Sequence, residues 1–189
     1  MDNTKNENGE QPQIIVLNGV SSVGKTSVAK AIQNYAQKPF LHVQMDAFLE
    51  MLPRRAFEGP DGLVFDRINS QTIDVKTGYI VEQALEGMRS AIASMAECGN
   101  NMVVDDVFFG NEDIEYRRLL RRHSLQLVGL FAPLSVVEDR ERARGDRDIG
   151  LAKGQFERVH KDRNYDLSFD TSRKSPNQIA SEICEVFTL

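Results

Sequence analysis

The chain has 189 residues, of which 41% are hydrophobic and 27% are charged, and its formal net charge is -5. This length and composition fit one globular domain with a core large enough to fold alone. The acidic balance gives no general attraction to nucleic acid or to an anionic membrane. No apolar run approaches the ~20 residues of a membrane-spanning helix, so we expect a cytoplasmic protein. These features leave open whether the protein forms a homo-oligomer.

The ends of the chain and its cysteines carry little chemistry. Residues 1–12 are polar and lack an apolar segment, which predicts a disordered tail ahead of a single domain at 13–189. Cys98 and Cys184 lie far apart and have no metal-ligand spacing. Both are therefore expected to be ordinary thiols.

Short β-branched runs alternate with helical patterns along the chain. Strands are predicted at 13–17, 40–44, 101–106, 125–132 and 165–170. Helices are predicted at 27–36, 77–98, 113–122, 133–143 and 176–187. This alternation predicts an α/β fold with a parallel sheet, in which ligands bind beyond the carboxyl ends of the strands. The stretch 53–74 has two glycines and two prolines and is predicted to be an irregular, substrate-facing loop.

The first strand runs into a phosphate-binding loop of the G-x-x-x-x-G-K-[ST] (Walker A) type, Gly19–Thr26. Its glycines permit backbone angles that let successive N–H groups converge on phosphate oxygens at the start of a helix. In such a loop the lysine, Lys25, contacts the β- and γ-phosphates, and the hydroxyl of Thr26 binds Mg²⁺. The predicted ATP-binding residues are Gly19, Ser21, Ser22, Val23, Gly24, Lys25, Thr26 and Ser27.

The third strand, "NMVVDD", ends in two acids, Asp105 and Asp106. A strand of this kind often completes a nucleotide site by holding Mg²⁺ directly or through water. Adjacent strand residues point to opposite faces, so the two acids are not expected to share one task. We favour Asp105 for the metal and Asp106 for a turn or for the substrate; the alternative is that both only cap the following turn.

Asp46 is predicted at the end of the second strand, in "HVQMDAFLEMLP", beside the expected γ-phosphate. A carboxylate there can accept a hydrogen bond from an acceptor hydroxyl and orient it for in-line attack. The alternative is structural, because Asp is a favoured N-cap and a helical pattern follows.

Arginines are concentrated in "EDRERARGDRDIGLA". Arg140 and Arg144 are four residues apart and share a helix face, and Arg147 extends this stripe if the helix continues. Such residues could place positive charge on a transferring phosphate, as a lid does. The alternative is a solvated charged helix with Glu141 interleaved, which we favour for Arg142.

The chain resembles the chloramphenicol phosphotransferase-like family from Gln13 to the C-terminus. The resemblance is carried by "IIVLNGVSSVGKTS", "MDAFLEMLP", "VVDDVFFG", "ERARGDRDIGLA" and "VHKDRNYDLSFDTS". It implies a nucleoside-kinase-like P-loop fold with a five-stranded parallel sheet and an arginine-bearing lid. It also implies ATP and Mg²⁺ as cofactors, Asp46 as the base, lid arginines at Arg140, Arg144 and Arg147, and an adenine pocket near Thr171–Pro176.

These features predict a small-molecule kinase, and its acceptor stays open. Chloramphenicol, with a role in antibiotic resistance, is one candidate, and related antibiotics or metabolites are others. The predicted substrate residues are Asp46, Phe48, Met51, Arg54, Asp106 and Phe108. Arg54, Arg55 and Arg67 suit a polar or anionic acceptor as well as an uncharged one. The alternative functions are a nucleotide-dependent switch or binding protein, and a nucleoside kinase; a guanine-reading N/T-K-x-D segment is absent from the sequence.

Overall fold

A computed structural model describes residues 11–69, 72–145 and 150–189. The strands are β1 (Gln13–Asn18), β2 (Phe40–Gln44), β3 (Leu63–Asn69), β4 (Thr72–Thr77), β5 (Asn101–Asp106), β6 (Ser124–Phe131) and β7 (Leu167–Asp170). The helices are α1 (Lys25–Tyr35), α2 (Met45–Glu50), α3 (Arg54–Phe57), α4 (Tyr79–Glu97), α5 (Glu112–Leu119), α6 (Leu134–Arg144), α7 (Leu151–Gln155) and α8 (Pro176–Phe187).

The main sheet has five parallel strands in the order β2-β5-β1-β6-β7. The predicted fold class is therefore confirmed. Because β2, β5 and β1 are neighbours, their carboxyl ends lie side by side. Asp105 is in register with Leu17 on one side and with Gln44 on the other. This placement brings the phosphate loop, the acids of β5 and the start of α2 to one edge of the sheet.

The sheet is packed between two layers of helices. Ile15 and Leu17 of β1 face a core shared with α1 and α8, whereas Ile14 and Val16 face a second core shared with α4 and Tyr116 of α5. This alternation along one strand is what a strand buried on both faces requires. None of the helices in the described part of the chain is long and apolar enough to cross a bilayer.

The predicted bounds agree closely with the structure for most elements. β2, β5 and α8 have the predicted ends. The seventh strand is shorter than expected, because it begins at Leu167 rather than Tyr165. Residues 1–10 of the predicted tail lie outside the described residues. Pro12, which was also assigned to the tail, is buried, and its carbonyl accepts a hydrogen bond from the backbone N–H of Ser124.

The stretch 53–74 is not the irregular loop that its glycines and prolines predicted. It contains α3, and β3 pairs with β4 as an antiparallel two-stranded sheet. In β4, Ile73 and Val75 are buried and their neighbours are not, so the period-two pattern of a strand is present in the sequence. The two strands lack an Asn-Gly or Asp-Gly pair between them, the usual signal of a hairpin.

Candidate active site

The phosphate loop lies between β1 and α1, as its motif predicts. Gly24 precedes the helix with φ of 106°, a left-handed conformation that favours glycine. Gly19 has a different constraint: a Cβ there would lie 2.6 Å from the carbonyl oxygen of Leu130. The two glycines therefore serve the backbone angle and the close packing of the loop, respectively.

The side chain of Lys25 is buried within the loop. Its Nζ donates hydrogen bonds to the carbonyl oxygens of Gly19 (2.9 Å) and Val20 (3.2 Å) and lies 3.8 Å from Oδ1 of Asp105. These contacts hold a positive charge at the mouth of the loop. Its predicted contact with nucleotide phosphates remains a prediction.

Asp105 and Asp106 do lie on different sides of β5. Oδ2 of Asp105 accepts a hydrogen bond of 2.6 Å from the Thr26 hydroxyl, next to Lys25. These two side chains offer the hard oxygen ligands that Mg²⁺ prefers, and Mg²⁺ commonly takes its other ligands from substrate phosphates and water. Within the described ranges, no cluster of three or more His, Cys, Asp or Glu side chains could hold a metal by itself. The pair therefore fits a magnesium ion that is shared with a nucleotide.

Asp106 has a different environment. It is 2% exposed, Oδ2 accepts a hydrogen bond from the Tyr116 hydroxyl (2.8 Å), and Oδ1 accepts one from the N–H of Val107 (2.8 Å). Burial raises the pKa of Asp106 to about 6, although both hydrogen bonds oppose this shift. The hydrogen bond to Val107 fits the predicted turn role, and Asp106 also borders the cleft described below.

Asp46 lies in the first turn of α2, not at the end of the second strand. The N-cap of α2 is Gln44, so Asp46 is not the N-cap either. Asp46 and Leu49 are three residues apart and both line the same cleft as the phosphate loop. The structure therefore brings Asp46 to the loop from a helix face.

Three predicted substrate residues lie away from the cleft, and these predictions are corrected. Phe48 is two positions from Asp46, so it points to another side of α2 and packs on the second core. Met51 follows the end of α2 and is 67% exposed. Phe108 is fully buried and packs against Tyr116, with ring centroids 5.8 Å apart.

The arginines of α6 divide as their spacing predicts. Arg140 and Arg144 both line the cleft, whereas Arg142 is exposed and paired with Asp139. Arg147 lies outside the described residues. Arg140 donates to the carbonyl oxygen of Val23 (3.1 Å) and to both the hydroxyl (2.9 Å) and the carbonyl oxygen (2.8 Å) of Thr171. Arg140 thus joins the phosphate loop to the segment after β7.

Two residues near the arginines were missed by the sequence analysis. Glu141 is fully buried, rather than solvated, and accepts hydrogen bonds from the backbone N–H groups of Gly150 (2.7 Å) and Ala152 (2.9 Å). Gln155 of α7 is also buried, and its Oε1 accepts a hydrogen bond of 2.6 Å from the N–H of Ser21. Neither role has a sequence signal, because both depend on where α7 packs.

A single cleft of about 1460 Å³ is lined by the phosphate loop, Asp46, Asp105, Asp106, Arg140 and Arg144. One end is formed by the phosphate loop, Arg140, Thr171 and Pro176, which includes both ends of the predicted adenine segment. The other end carries both apolar and charged side chains, from α2, α3, the β3–β4 sheet and α4. Its apolar residues are Leu49, Leu52, Phe57, Leu63, Phe65, Val75, Val81, Leu85 and Phe109.

Of the three arginines suggested for an anionic acceptor, only Arg54 lines the cleft. Arg55 and Arg67 are exposed and do not contribute to its wall. Arg54 is itself paired with Glu58, at 2.8 Å between Nε and Oε1. This end of the cleft thus has less free positive charge than the sequence suggested.

The family model described as "Chloramphenicol phosphotransferase-like protein" matches residues 12–188. The chain belongs to this family. This membership confirms the resemblance and makes the protein a phosphotransferase of the small-molecule kinase class. Two strains of Mycobacterium tuberculosis, H37Rv and CDC 1551, have relatives that are each named "Putative O-phosphotransferase". Each is 29% identical over 184 residues, which span 93% of this chain and 82% of the relative.

Solved structures of kinases share the fold. The APS kinase of Mycobacterium tuberculosis, in complex with AMPPNP and APS, superposes with a TM-score of 0.65 at 16% identity, over 95% of this chain and 99% of that one. Shikimate kinase from Acinetobacter baumannii, in complex with shikimate, superposes with a TM-score of 0.57 at 13% identity, over 95% and 94%. At these identities the likeness establishes the P-loop kinase fold alone.

Proposed function

We propose that this family member transfers the γ-phosphate of MgATP to a hydroxyl group of a small molecule. The observation that supports this most is the arrangement within one cleft. Asp46 shares the cleft with the phosphate loop and with a separate wall that contains apolar and charged side chains. A protein that only binds nucleotide has no need of that second wall. Chloramphenicol, modified at its 3-hydroxyl, and related antibiotics or metabolites are the candidate acceptors.

The donor end of the cleft would bind the nucleotide. The N–H groups of the phosphate loop and of the first turn of α1 would bind its phosphates, and Lys25 would turn from the loop carbonyls toward the β- and γ-phosphates. Thr26 and Asp105 would hold Mg²⁺, which supplies positive charge to the phosphate oxygens. Arg140 and Arg144, with Arg147, would add guanidinium charge near the transferring group.

Asp46 would act on the acceptor. Its carboxylate would accept the hydrogen bond of the attacking hydroxyl and take its proton as the bond to phosphorus forms. Because phosphoryl transfer has a loose transition state, aiming the hydroxyl along the line of the leaving oxygen matters more than full deprotonation. Asp106, whose oxygens already bind Tyr116 and Val107, would contact the acceptor and not the metal.

The test is incubation with MgATP and a panel of hydroxylated antibiotics, sugars and shikimate-like acids, with phosphorylated products detected by mass spectrometry. A Lys25→Ala variant is the control for transfer that depends on the phosphate loop. Loop-dependent transfer to any member supports the proposal. If neither the panel nor a metabolite extract accepts phosphate, while ATP is bound, the kinase proposal fails.

The alternative of a nucleotide-dependent switch predicts a different result. A switch that reads guanine would bind GTP more tightly than ATP, and calorimetric titration of both nucleotides measures this directly. The separate wall beside Asp46, which nucleotide binding alone does not need, favours the kinase.

A further inference from the structure

Arg89 lies in the wall of the acceptor end, on α4. Its side chain is only 11% exposed, and its Nε lies 2.5 Å from Oε2 of Glu115 on α5. No motif or spacing in the sequence singles out Arg89, and it has no part in the proposed mechanism. Arg89 is half-buried, and its terminal nitrogens are not among the buried, unpartnered side-chain atoms of the described residues, so they are accessible from the cleft.

The terminal amino groups of Arg89 are the donors that remain. Across the part of the chain that the structure describes, Nε has the ion pair with Glu115, and Nη1 and Nη2 have no hydrogen bond. A guanidinium carries five N–H donors in a planar fork, and four of them belong to these terminal groups. Donors of this kind at a cleft surface indicate a ligand oxygen.

Charge limits what that oxygen can be. Glu115 neutralises Arg89, just as Glu58 neutralises Arg54, which also lines the cleft. Other carboxylates line the same end of the cleft, including Glu82 and Glu86 of α4. An acceptor with a carboxylate or phosphate would therefore meet a wall of net negative charge. Like charges placed together at a binding site cost several kcal/mol and reject such ligands.

Asp106 completes the polar part of this wall. Its buried carboxylate lines the same cleft as Arg89, on a strand that contacts α4. Each Asp106 oxygen accepts one hydrogen bond and can accept another. A donor on Arg89 and an acceptor on Asp106 together match a group that can both accept and donate, such as a hydroxyl or an amide.

We infer that Arg89 is a specificity-determining residue of the proposed kinase, which donates hydrogen bonds to an uncharged oxygen of the acceptor. The acceptor class is an uncharged compound that carries a second hydroxyl or an amide beside the reacting hydroxyl, and anionic acceptors are rejected. This inference rests on the proposed function, because it concerns the part of the same cleft that would bind the acceptor.

The test measures binding of matched acceptors to the protein saturated with Mg²⁺ and AMPPNP, so that it does not depend on turnover. The probes are gluconamide with gluconate and shikimate methyl ester with shikimate, each an uncharged compound with its anion, together with glucose and glucosamine. We expect each uncharged compound to bind at least about tenfold more tightly than its anion, the scale of one unfavourable charged contact. Where transfer occurs, kcat/KM should rank the probes in the same order.

Two variants separate the hydrogen bonds from the charge. Arg89→Gln should weaken binding of the uncharged probes by roughly 10–100-fold, the cost of leaving buried polar groups unpaired, with unchanged AMPPNP affinity. Glu115→Gln leaves the Arg89 charge unbalanced and should narrow the preference for uncharged probes over anions by about tenfold. Arg118→Gln, an exposed change on α5 outside the cleft, is the matched control and should change neither quantity.

Four results would overturn the inference. They are tighter binding of the anions, no binding of any uncharged probe, a preference for glucosamine over glucose above tenfold, and Arg89→Gln behaving as the Arg118→Gln control. Failure of the proposed function gives another pattern: the probes bind in the expected order, but no phosphate is transferred.

Discussion

The hydroxyl of Thr26 donates a 2.6 Å hydrogen bond to Oδ2 of Asp105, which joins the phosphate loop to the neighbouring strand β5. The register of β1 and β5 sets this contact, because Asp105 lies beside Leu17, two residues before the loop begins at Gly19. The contact places two oxygen ligands together next to Lys25. It is the geometric basis for assigning the metal to Asp105 rather than to Asp106.

Asp105→Asn should weaken the binding of Mg²⁺ to the ATP-loaded protein. The amide lacks the negative charge that a divalent cation favours, so we expect roughly a 10–100-fold loss of metal affinity, the scale seen when groups around a metal are changed. Titration of MgCl₂ into the ATP-loaded protein measures this loss. Asp106→Asn is the control, since Asp106 is bound to Tyr116 and Val107. If Asp106→Asn has the larger effect on metal affinity, the two assignments must be exchanged.

Asp46→Asn should reduce phosphate transfer by roughly 10²-fold or more, the scale of acid–base contributions, because the amide cannot take the proton of the acceptor hydroxyl. Affinity for ATP should stay as in the wild type. Glu50→Gln is a matched control, because Glu50 lines the cleft from the same helix. Transfer that is unchanged by Asp46→Asn would remove Asp46 from the mechanism.

The donor half of the site was predictable because its signals are local in the sequence. The loop, the acid-ended strand and the four-residue spacing of Arg140 and Arg144 each lie within one element, and the parallel-sheet rule brings those elements together. The direction in which Asp105 and Asp106 point followed from strand alternation alone.

The acceptor half was less predictable because it depends on packing between distant elements. Arg89 and Glu115 meet only because α4 packs on α5. Phe108 resembled a pocket residue in the sequence, but its side chain enters the core on the far face of the sheet. The β3–β4 sheet also depends on contact with α7, where a Cβ at Gly154 would lie 1.8 Å from the carbonyl oxygen of Ile73. A single sequence without aligned relatives carries no signal for such contacts.

Glu141→Gln should destabilise the protein. The carboxylate of Glu141 accepts two backbone hydrogen bonds at the start of α7, and the amide can offer an oxygen to only one of them. The other N–H is then buried without a partner, which costs about 1–3 kcal/mol of unfolding free energy. Urea unfolding measures this loss, with Glu138→Gln, a half-buried position on the same helix, as the control. Equal midpoints for the two variants would contradict the role of Glu141.

Asp106→Asn should stabilise the protein at neutral pH and not at acidic pH. Burial raises the folded-state pKa of Asp106 from 3.8 to about 6. Well below pH 3.8 the carboxyl group is protonated in both states, and its burial then has no ionisation cost. As the pH rises through this window the unfolded state loses the proton first, so stability falls until the pH exceeds about 6. Above that value the cost is about 3 kcal/mol, at 1.36 kcal/mol for each pKa unit.

The asparagine variant removes this dependence, because its amide does not titrate. Its oxygen can accept the hydrogen bond of Val107, and its NH₂ group can donate to the hydroxyl of Tyr116. The difference in unfolding free energy between the variant and the wild type should therefore be about 2.5 kcal/mol larger at pH 8 than at pH 4, where the unfolded carboxyl group is already more than half ionised. Urea unfolding across this range measures the difference. Every other group titrates in both proteins, so its contribution cancels in the difference. A difference that stays constant with pH would mean that Asp106 ionises in the folded protein as readily as in the unfolded chain.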